Sequence, residues 1–153
     1  MKNNQIRMAG AFMALAVLTV LAALGSGGTW GCGSGASAGA LACTGTTCDC
    51  PSGEACDITG SACGGDSCSL DCTDSSECTG ECGASCSADC AGGSVCDLTV
   101  GESGSVTCTE NSECHITCTG NCSLSCSNGA TCDLQCAGDA SPHAVVESDH
   151  CEL

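Results

Sequence analysis

The sequence has few of the large side chains from which a hydrophobic core is usually built. Its 153 residues include one Phe, one Trp and no Tyr, and Leu, Ile and Val are sparse after residue 43. Aromatic residues normally dominate the energetics of protein cores. Small domains without enough apolar surface are usually held together by disulfides or metals. We therefore expect covalent staples in place of a large core, and 21 cysteines are present.

Basic residues are almost absent as well. Lys2 and Arg7 are the only two, and all 18 acidic residues lie from Asp49 onward. Because contacts with phosphates need cationic side chains, this composition excludes nucleic acid as a partner. Divalent cations and basic partners stay compatible with an acidic body.

Sequence motifs of catalysis are missing too. The chain has no serine elbow, no phosphate-binding loop and no His-Glu-x-x-His sequence, which are the local signatures of common catalytic sites. We therefore expect that the protein is not an enzyme and that it needs no cofactor.

The first 31 residues are typical of an export signal. A short basic start precedes an apolar run over residues 8–24, and small residues follow it. An uncleaved membrane anchor is the alternative, although the run lies at the lower limit of the length that spans a bilayer. Cysteines are oxidised after export, so we expect a disulfide framework.

The sequence "TWGC" at residues 29–32 resembles a bacterial lipoprotein signal, in which a small residue precedes the cysteine that becomes lipidated. The resemblance implies that Cys32 becomes the mature N-terminus and anchors the protein to the outer membrane through a lipid. Cleavage near Gly28 or Ala38, which would release a secreted protein, is the alternative. The count of 21 cysteines is odd, so lipidation of Cys32 would leave an even number for pairing.

Cysteines and apolar residues share one parity along the repeat region. From Cys72 to Cys136 every cysteine has an even number, as do Leu98, Val106 and Leu124, whereas the odd positions are mostly polar or glycine. A period of two indicates β-strands with one face directed inward.

The spacing of the cysteines is also periodic. Intervals of 6, 4, 4 and 4 residues occur in "CTDSSECTGECGASCSADC" (residues 72–90) and again in "CTENSECHITCTGNCSLSC" (residues 108–126), which gives a repeat of 18 residues. Repeats of about this length are typical of solenoids, whose coils stack on their neighbours.

We therefore predict an all-β fold, a small disulfide-stapled β-solenoid (β-helix) with 18-residue repeats. A disulfide-rich chain of short hairpins with little regular structure is the alternative. The predicted organisation is a signal peptide over 1–31, a linker rich in Gly, Ser and Ala over 32–42, a cysteine-rich repeat domain over 43–136, and a C-terminal tail over 137–153.

The spacing also indicates which cysteines pair. Residues four apart on a straight strand are separated by roughly 13 Å, which is beyond disulfide reach, so partners meet around a bend or on adjacent coils. The repeat places cysteines at positions 100 and 104, where this chain has Val100 and Gly104. If cysteines at these two positions bond to each other in the other coils, their joint loss here leaves no cysteine unpaired. Consecutive pairing then leaves only Cys32 over. It gives the pairs Cys43–Cys48, Cys50–Cys56, Cys63–Cys68, Cys72–Cys78, Cys82–Cys86, Cys90–Cys96, Cys108–Cys114, Cys118–Cys122, Cys126–Cys132 and Cys136–Cys151.

Metal binding is the main alternative use of these residues. Metallothionein-like chains use dense C-x-C and C-x-x-C spacings, but this chain has a single C-x-C, at Cys48 and Cys50, and no C-x-x-C. Calcium on the acidic face is a second version, for which Asp57, Asp97 and Asp133 are outward candidates that follow equivalent cysteines.

Two further features bear on ligands. In the tail, His143, Asp149 and His150 are the candidate metal ligands, whereas His115 lies outward on a strand without a partner near it in sequence. The units "TCT" at 107–109 and 117–119 resemble the Thr-Cys-Thr units of insect antifreeze β-solenoids. That family aligns Thr on every coil of a stricter repeat, and the outward Thr residues here form no continuous array.

These observations predict an exported, lipid-anchored protein of the cell envelope with a structural or protein-interaction role. The expected partners are the membrane, through the lipid on Cys32, and another envelope protein or divalent cations. A metal- or cation-binding protein is the alternative, and ice binding or an enzyme activity is more remote.

Overall fold

The computed structural model describes residues 41–152, which form a β-solenoid. The predicted signal peptide 1–31, Cys32 and most of the linker 32–42 lie outside the described residues. In chain order the strands are β1 (Ala42–Thr44), β2 (Thr47–Cys50), β3 (Ala55–Asp57), β4 (Ser69–Cys72), β5 (Glu77–Cys82), β6 (Ser87–Cys90), β7 (Val95–Val100), β8 (Gly104–Cys108), β9 (Glu113–Cys118), β10 (Cys122–Cys126), β11 (Thr131–Cys136), β12 (His143–Val145) and β13 (Ser148–Cys151).

The strands alternate between two sheets. Sheet A has the order β1-β2-β4-β6-β8-β10-β13, and sheet B has the order β12-β11-β9-β7-β5-β3. From β2 to β11 the chain passes from one sheet to the other at every turn, and successive strands within each sheet are parallel. The predicted β-solenoid is therefore confirmed, and the alternative of short hairpins is wrong for this part of the chain.

The register confirms the repeat of 18 residues. Along sheet A, Cys72 lies opposite Cys90 on the adjacent parallel strand. In the same way, Cys90 lies opposite Cys108, and Cys108 lies opposite Cys126. The first coil is longer, because Cys50 lies opposite Cys72 on the adjacent strand and the two are 22 residues apart in sequence. Its extra residues lie in the connection between β3 and β4, which includes a short 3-10 turn at Ala62–Gly64.

The inside of the solenoid is narrow and is filled by cysteine and aliphatic side chains. Alternate residues are buried along the strands, as the parity of the sequence predicts. Leu70, Leu98 and Leu124 are at most 1% exposed, and successive inward positions across the coils carry residues of similar kind. Each coil thus contributes one thin layer of apolar side chains between the two sheets.

The long turns between sheet A and sheet B explain the choice of Gly, Asn and Asp there. Two consecutive residues have positive φ in the turns at Asp74–Ser75, Gly92–Gly93, Glu110–Asn111 and Asn128–Gly129. This conformation favours Gly, Asn and Asp. A side chain on Gly92 would in addition collide with the backbone of Asp74 in the preceding coil.

Antiparallel strands close parts of both ends. At the start, β1 pairs with β2 as a hairpin. At the end, β12 pairs with β11 and β13 pairs with β10, both antiparallel. The segment 137–153, which the sequence marks as a tail, therefore contributes a strand to each sheet and covers edges that would otherwise be open to pairing. The described residues contain no helix of the length and apolarity that a bilayer crossing requires.

Candidate functional site

Ten disulfide pairs hold the coils, and they are the pairs that the spacing predicts. Their Cα–Cα distances range from 4.0 Å for Cys43–Cys48 to 6.5 Å for Cys90–Cys96, within or near the range that a disulfide requires. Every cysteine of residues 41–152 belongs to one of these pairs. Cys32, the predicted lipid site, lies outside the described residues.

Most of the pairs lie at one of the two corners of the solenoid, whereas Cys43–Cys48 joins β1 to β2 within sheet A. At the long turns, five stacked disulfides join the end of a sheet A strand to the start of a sheet B strand, and we call these five the disulfide ladder. Its rungs are Cys50–Cys56, Cys72–Cys78, Cys90–Cys96, Cys108–Cys114 and Cys126–Cys132. At the opposite corner, Val100 and Gly104 interrupt the series between Cys82–Cys86 and Cys118–Cys122.

Sulfur atoms of neighbouring rungs lie close to one another. The Sγ atoms of Cys72, Cys90 and Cys96 are all within 4.8 Å of one another, and so are those of Cys90, Cys108 and Cys114. The spacing of cysteines along the sequence does not predict this close approach, because it is made between sulfur atoms of adjacent coils. The thiolate is the form that binds metals, so disulfide-bonded sulfurs do not serve as ordinary thiolate ligands here.

The outward face of sheet A carries a column of aspartates that the sequence analysis missed. Asp49, Asp71 and Asp89 are direct partners on three adjacent strands. The pKa of Asp71 is raised above its usual value by partial burial, by a hydrogen bond with the Asp49 side chain, and by the negative charges of Asp49 and Asp89. We call these three residues the aspartate column.

Hydroxyl side chains form a second column beside it. Ser69, Ser87, Ser105 and Ser123 occupy equivalent outward positions in successive coils, after Thr47 in the first. The Ser123 hydroxyl donates a hydrogen bond to the Ser105 hydroxyl at 3.3 Å. Ser therefore occupies this outward position in four successive coils. Sheet A thus presents two neighbouring rows of short polar side chains, the aspartate column and this row of hydroxyl groups.

The outward face of sheet B brings together two of the acidic candidates. Asp97 and Asp133 flank His115 on the adjacent strands. The His115 ring has two acidic neighbours, with Nε2 at 3.0 Å from Oε1 of Glu113 and Nδ1 at 3.3 Å from Oδ2 of Asp133. Asp57 lies two coils before Asp97 in the same column. The expectation that His115 has no partner near it in sequence is therefore wrong, because Glu113 is only two residues away. Asp133 was missed because it lies a full coil away.

Asp57 itself is engaged locally. Its Oδ1 accepts a hydrogen bond from the backbone N–H of Thr59 at 2.9 Å. That bond stabilises the charged form and lowers the pKa of the Asp57 carboxyl below its usual value. Its carboxylate is therefore part of a turn and does not join Asp97 and Asp133.

The tail candidates are only partly brought together. His143 Nε2 lies 2.7 Å from Oδ2 of Asp149, and these residues face Leu134 and Leu124 across the last strands. The pKa of Asp149 is lowered, first by the hydrogen bond with His143 and then by the backbone N–H of His150. The pair thus lies over the end of the core as a polar cap.

The ring of His150 is directed elsewhere. Its Nε2 lies 3.5 Å from Oε1 of Glu152, and its backbone is paired with Ser123 on the outward side of sheet A. His143, Asp149 and His150 therefore share one end of the solenoid, but their side chains do not form one cluster.

Comparison of the chain with protein-family models, with curated proteins and with solved structures finds no match. The chemistry that the described residues offer is therefore read from their own geometry. It consists of buried crosslinks, which resist unfolding, and two outward faces of carboxylate and hydroxyl groups, which accept hydrogen bonds and attract cations.

Proposed function

We propose that the protein is exported, is attached to the cell envelope by a lipid on Cys32, and has a structural or protein-interaction role. One observation carries the proposal: every cysteine of residues 41–152 is paired. Disulfides form and persist in oxidising compartments outside the cytosol. The signal-like start of the sequence supports the same location.

The way in which the coils are stabilised supports a structural role. Small disulfide loops each contribute about 2 kcal/mol, and the ten bridges are spread along the whole solenoid. A chain constrained in this way exposes little extended backbone, which a protease needs for cleavage. Such a body is suited to long residence on a cell surface.

The charge of the chain supports an interaction role. The 18 acidic residues lie in a region without Lys or Arg, and both sheets carry aspartates on their outward faces. A partner with Lys or Arg side chains would complement such a surface, and the association would weaken as salt rises.

Mass spectrometry tests the location and the oxidation state together. The native protein is purified from its envelope, and its intact mass is compared with that of the Cys32→Ser variant. We expect a diacyl mass increment that the variant lacks, and no thiol that reacts with maleimide in denaturant. An unmodified Cys32 would contradict the lipid anchor, and reactive thiols throughout the repeat would contradict the exported, oxidised state.

Affinity capture tests the interaction role. The protein is crosslinked in intact envelopes and is compared with a variant in which Asp71 and Asp89 are both replaced by Asn. We expect a basic envelope protein to be recovered at low salt with the native chain and to be reduced with the variant. Equal recovery of the same proteins by both chains would contradict recognition through the aspartate column.

Cation binding is the second candidate function, and the aspartate column favours it. Ca²⁺ prefers carboxylate oxygens, and the side chains of Asp49 and Asp71 are close enough to hydrogen-bond. Isothermal titration with Ca²⁺ should show binding that Asp71→Asn weakens and that Asp139→Asn, at the other end of the chain, leaves unchanged. Equal heats for the native protein and Asp71→Asn would contradict a site at this column.

A further inference from the structure

The disulfide ladder has a directional arrangement. Cys72, on the sheet A side of its coil, lies within 4.8 Å of both sulfurs of the following rung, Cys90–Cys96. Cys90 stands in the same relation to the rung after that, Cys108–Cys114. Each of these rungs thus places one sulfur against an intact disulfide of the next coil.

We propose that the three central rungs of the disulfide ladder, from Cys72–Cys78 to Cys108–Cys114, form a path for thiol–disulfide exchange, along which an unpaired thiol moves from coil to coil. Exchange occurs when a thiolate attacks one sulfur of a disulfide and displaces the other as a new thiolate. Within these three rungs the attacking sulfur already lies within 4.8 Å of the disulfide of the next coil, and the paired strands hold it there. No enzyme or second protein is required for the step.

The steps conserve atoms and electrons. When Cys72 has lost its partner, its thiolate attacks Sγ of Cys96, forms a Cys72–Cys96 bond and releases Cys90 as the thiolate. Cys90 then attacks Cys114 and releases Cys108. In each step one disulfide breaks and one forms, so nothing is oxidised or reduced overall, and the proton of the thiol returns to the sulfur that is displaced.

Burial sets the conditions for the exchange. Cys72, Cys90 and Cys96 are 0% exposed, so external thiols do not reach them and the neighbouring rung is the accessible reactant. Thiols in apolar surroundings ionise with difficulty, so we expect the exchange to be slow at neutral pH and faster as pH rises. Holding the reactants in place offsets part of this penalty.

The path gives the solenoid tolerance to the loss of a sulfur. When a rung has lost one of its two cysteines, the remaining cysteine passes the unpaired state to the next coil, and no further crosslink is lost because each exchange step breaks one disulfide and forms one. The new bonds, such as Cys72–Cys96, join sheet A of one coil to sheet B of the next. They therefore still tie neighbouring coils together. This inference does not depend on the proposed envelope location.

The opposite corner provides a matched control. In the next coil, Val100 lies opposite Cys82 on the adjacent strand, and Gly104 occupies the position of the second cysteine. No sulfur therefore continues the series toward Cys118–Cys122, and a thiol left at Cys82 has no route in that direction.

The experiment leaves one thiol unpaired and follows it. Two variants are compared: Cys78→Ser leaves Cys72 unpaired, and the control Cys86→Ser leaves Cys82 unpaired. Both are folded, incubated at about pH 8.5, near the ordinary cysteine pKa, and then quenched in acid. The free thiol is then alkylated in denaturant and located by peptide mapping. In Cys78→Ser we expect the label on Cys72 to fall about twofold or more as neighbouring positions share the thiol. The lost label should appear on Cys90, Cys96 or Cys108.

Three outcomes would overturn the proposal. In the first, the label in Cys78→Ser stays on Cys72 alone. In the second, the label in the control Cys86→Ser spreads past residue 104 to the same extent. In the third, bonds form between distant coils, which would indicate scrambling through unfolding. Protein dilution must leave the rate unchanged, because a rate that falls on dilution would mean exchange between molecules. If Cys78→Ser does not fold, Cys96→Ser leaves Cys90 and is read in the same way, with the label expected on Cys108 or Cys114.

Discussion

Val100 and Gly104 are complementary in shape, because Cγ1 of Val100 fills the space that a Cβ atom on Gly104 would occupy. In the coils on either side, the equivalent positions hold the disulfides Cys82–Cys86 and Cys118–Cys122. A valine opposite a glycine therefore replaces a disulfide at this corner. The apolar contact fills the volume, but it does not constrain the unfolded chain as a covalent bond does.

Gly104→Ala is the simplest test of this packing. The added methyl would overlap the Val100 side chain, and overpacking of a buried site costs about 1–3 kcal/mol. The free energy of unfolding, measured by guanidinium titration, should fall by that amount. Gly64→Ala is the control, because the nearest atom to its added Cβ is 4.0 Å away, and the two variants should therefore differ clearly. Equal stability of both variants would contradict the packing.

Restoring the missing bridge is the converse prediction. The double variant Val100→Cys, Gly104→Cys should form an additional disulfide, since the equivalent pairs span Cα–Cα distances of 5.8 and 6.0 Å. A loop this small should add about 2 kcal/mol to the free energy of unfolding. Intact mass before and after alkylation reports the bond, and each single cysteine variant is the control. Two alkylated thiols in the folded double variant would refute the equivalence of the corners.

Asp71 should make stability depend on pH. Its raised pKa means that the folded chain binds this proton more tightly than the unfolded chain does. The contribution of Asp71 to the free energy of unfolding therefore increases as pH falls through the raised pKa, and it is least favourable at neutral pH. Removing like charges on adjacent strands changes stability by about 0.5 kcal/mol, so Asp71→Asn should gain that amount at pH 7 and less at pH 4. Asp66→Asn, at an exposed turn, is the control in urea titrations, and a gain at pH 7 no larger than the control's would contradict the prediction.

The polar cap at the C-terminal end has the opposite dependence. The pKa of Asp149 is lowered by His143, so the stabilisation is present above the ordinary aspartate pKa and is lost as pH falls through the lowered value. Exposed ion pairs are worth about 0.5 kcal/mol. A double-mutant cycle of His143→Ala and Asp149→Asn, measured by urea unfolding at pH 6, should give a coupling of that size. A coupling of zero at pH 6 would show that the pair does not contribute.

The inward half of this fold could be predicted from sequence because cysteine makes the parity visible. Every inward position in "CTENSECHITC" is marked by a cysteine or an aliphatic residue, apart from the turn, and the repeat of that pattern specifies the stacking. The joint replacement at Val100 and Gly104 indicated pairing within coils, and the structure has the same arrangement.

The outward half depends on register, which the local pattern does not reveal. Asp49 meets Asp71 only because the first coil is four residues longer than the others, in the connection around Ala62–Gly64. His115 meets Asp133 across a full coil. The antiparallel strands of the tail were missed because β12 and β13 are short and lack the regular cysteine spacing.

Disulfide mapping of the native protein tests the central claim most directly. The chain is alkylated without reduction, digested at acidic pH to prevent exchange, and analysed by mass spectrometry. Pairing within coils predicts linked peptides that contain Cys72 with Cys78 and Cys90 with Cys96. A peptide that links Cys72 to Cys90 as the main species would contradict it, because the bridges would then join neighbouring coils.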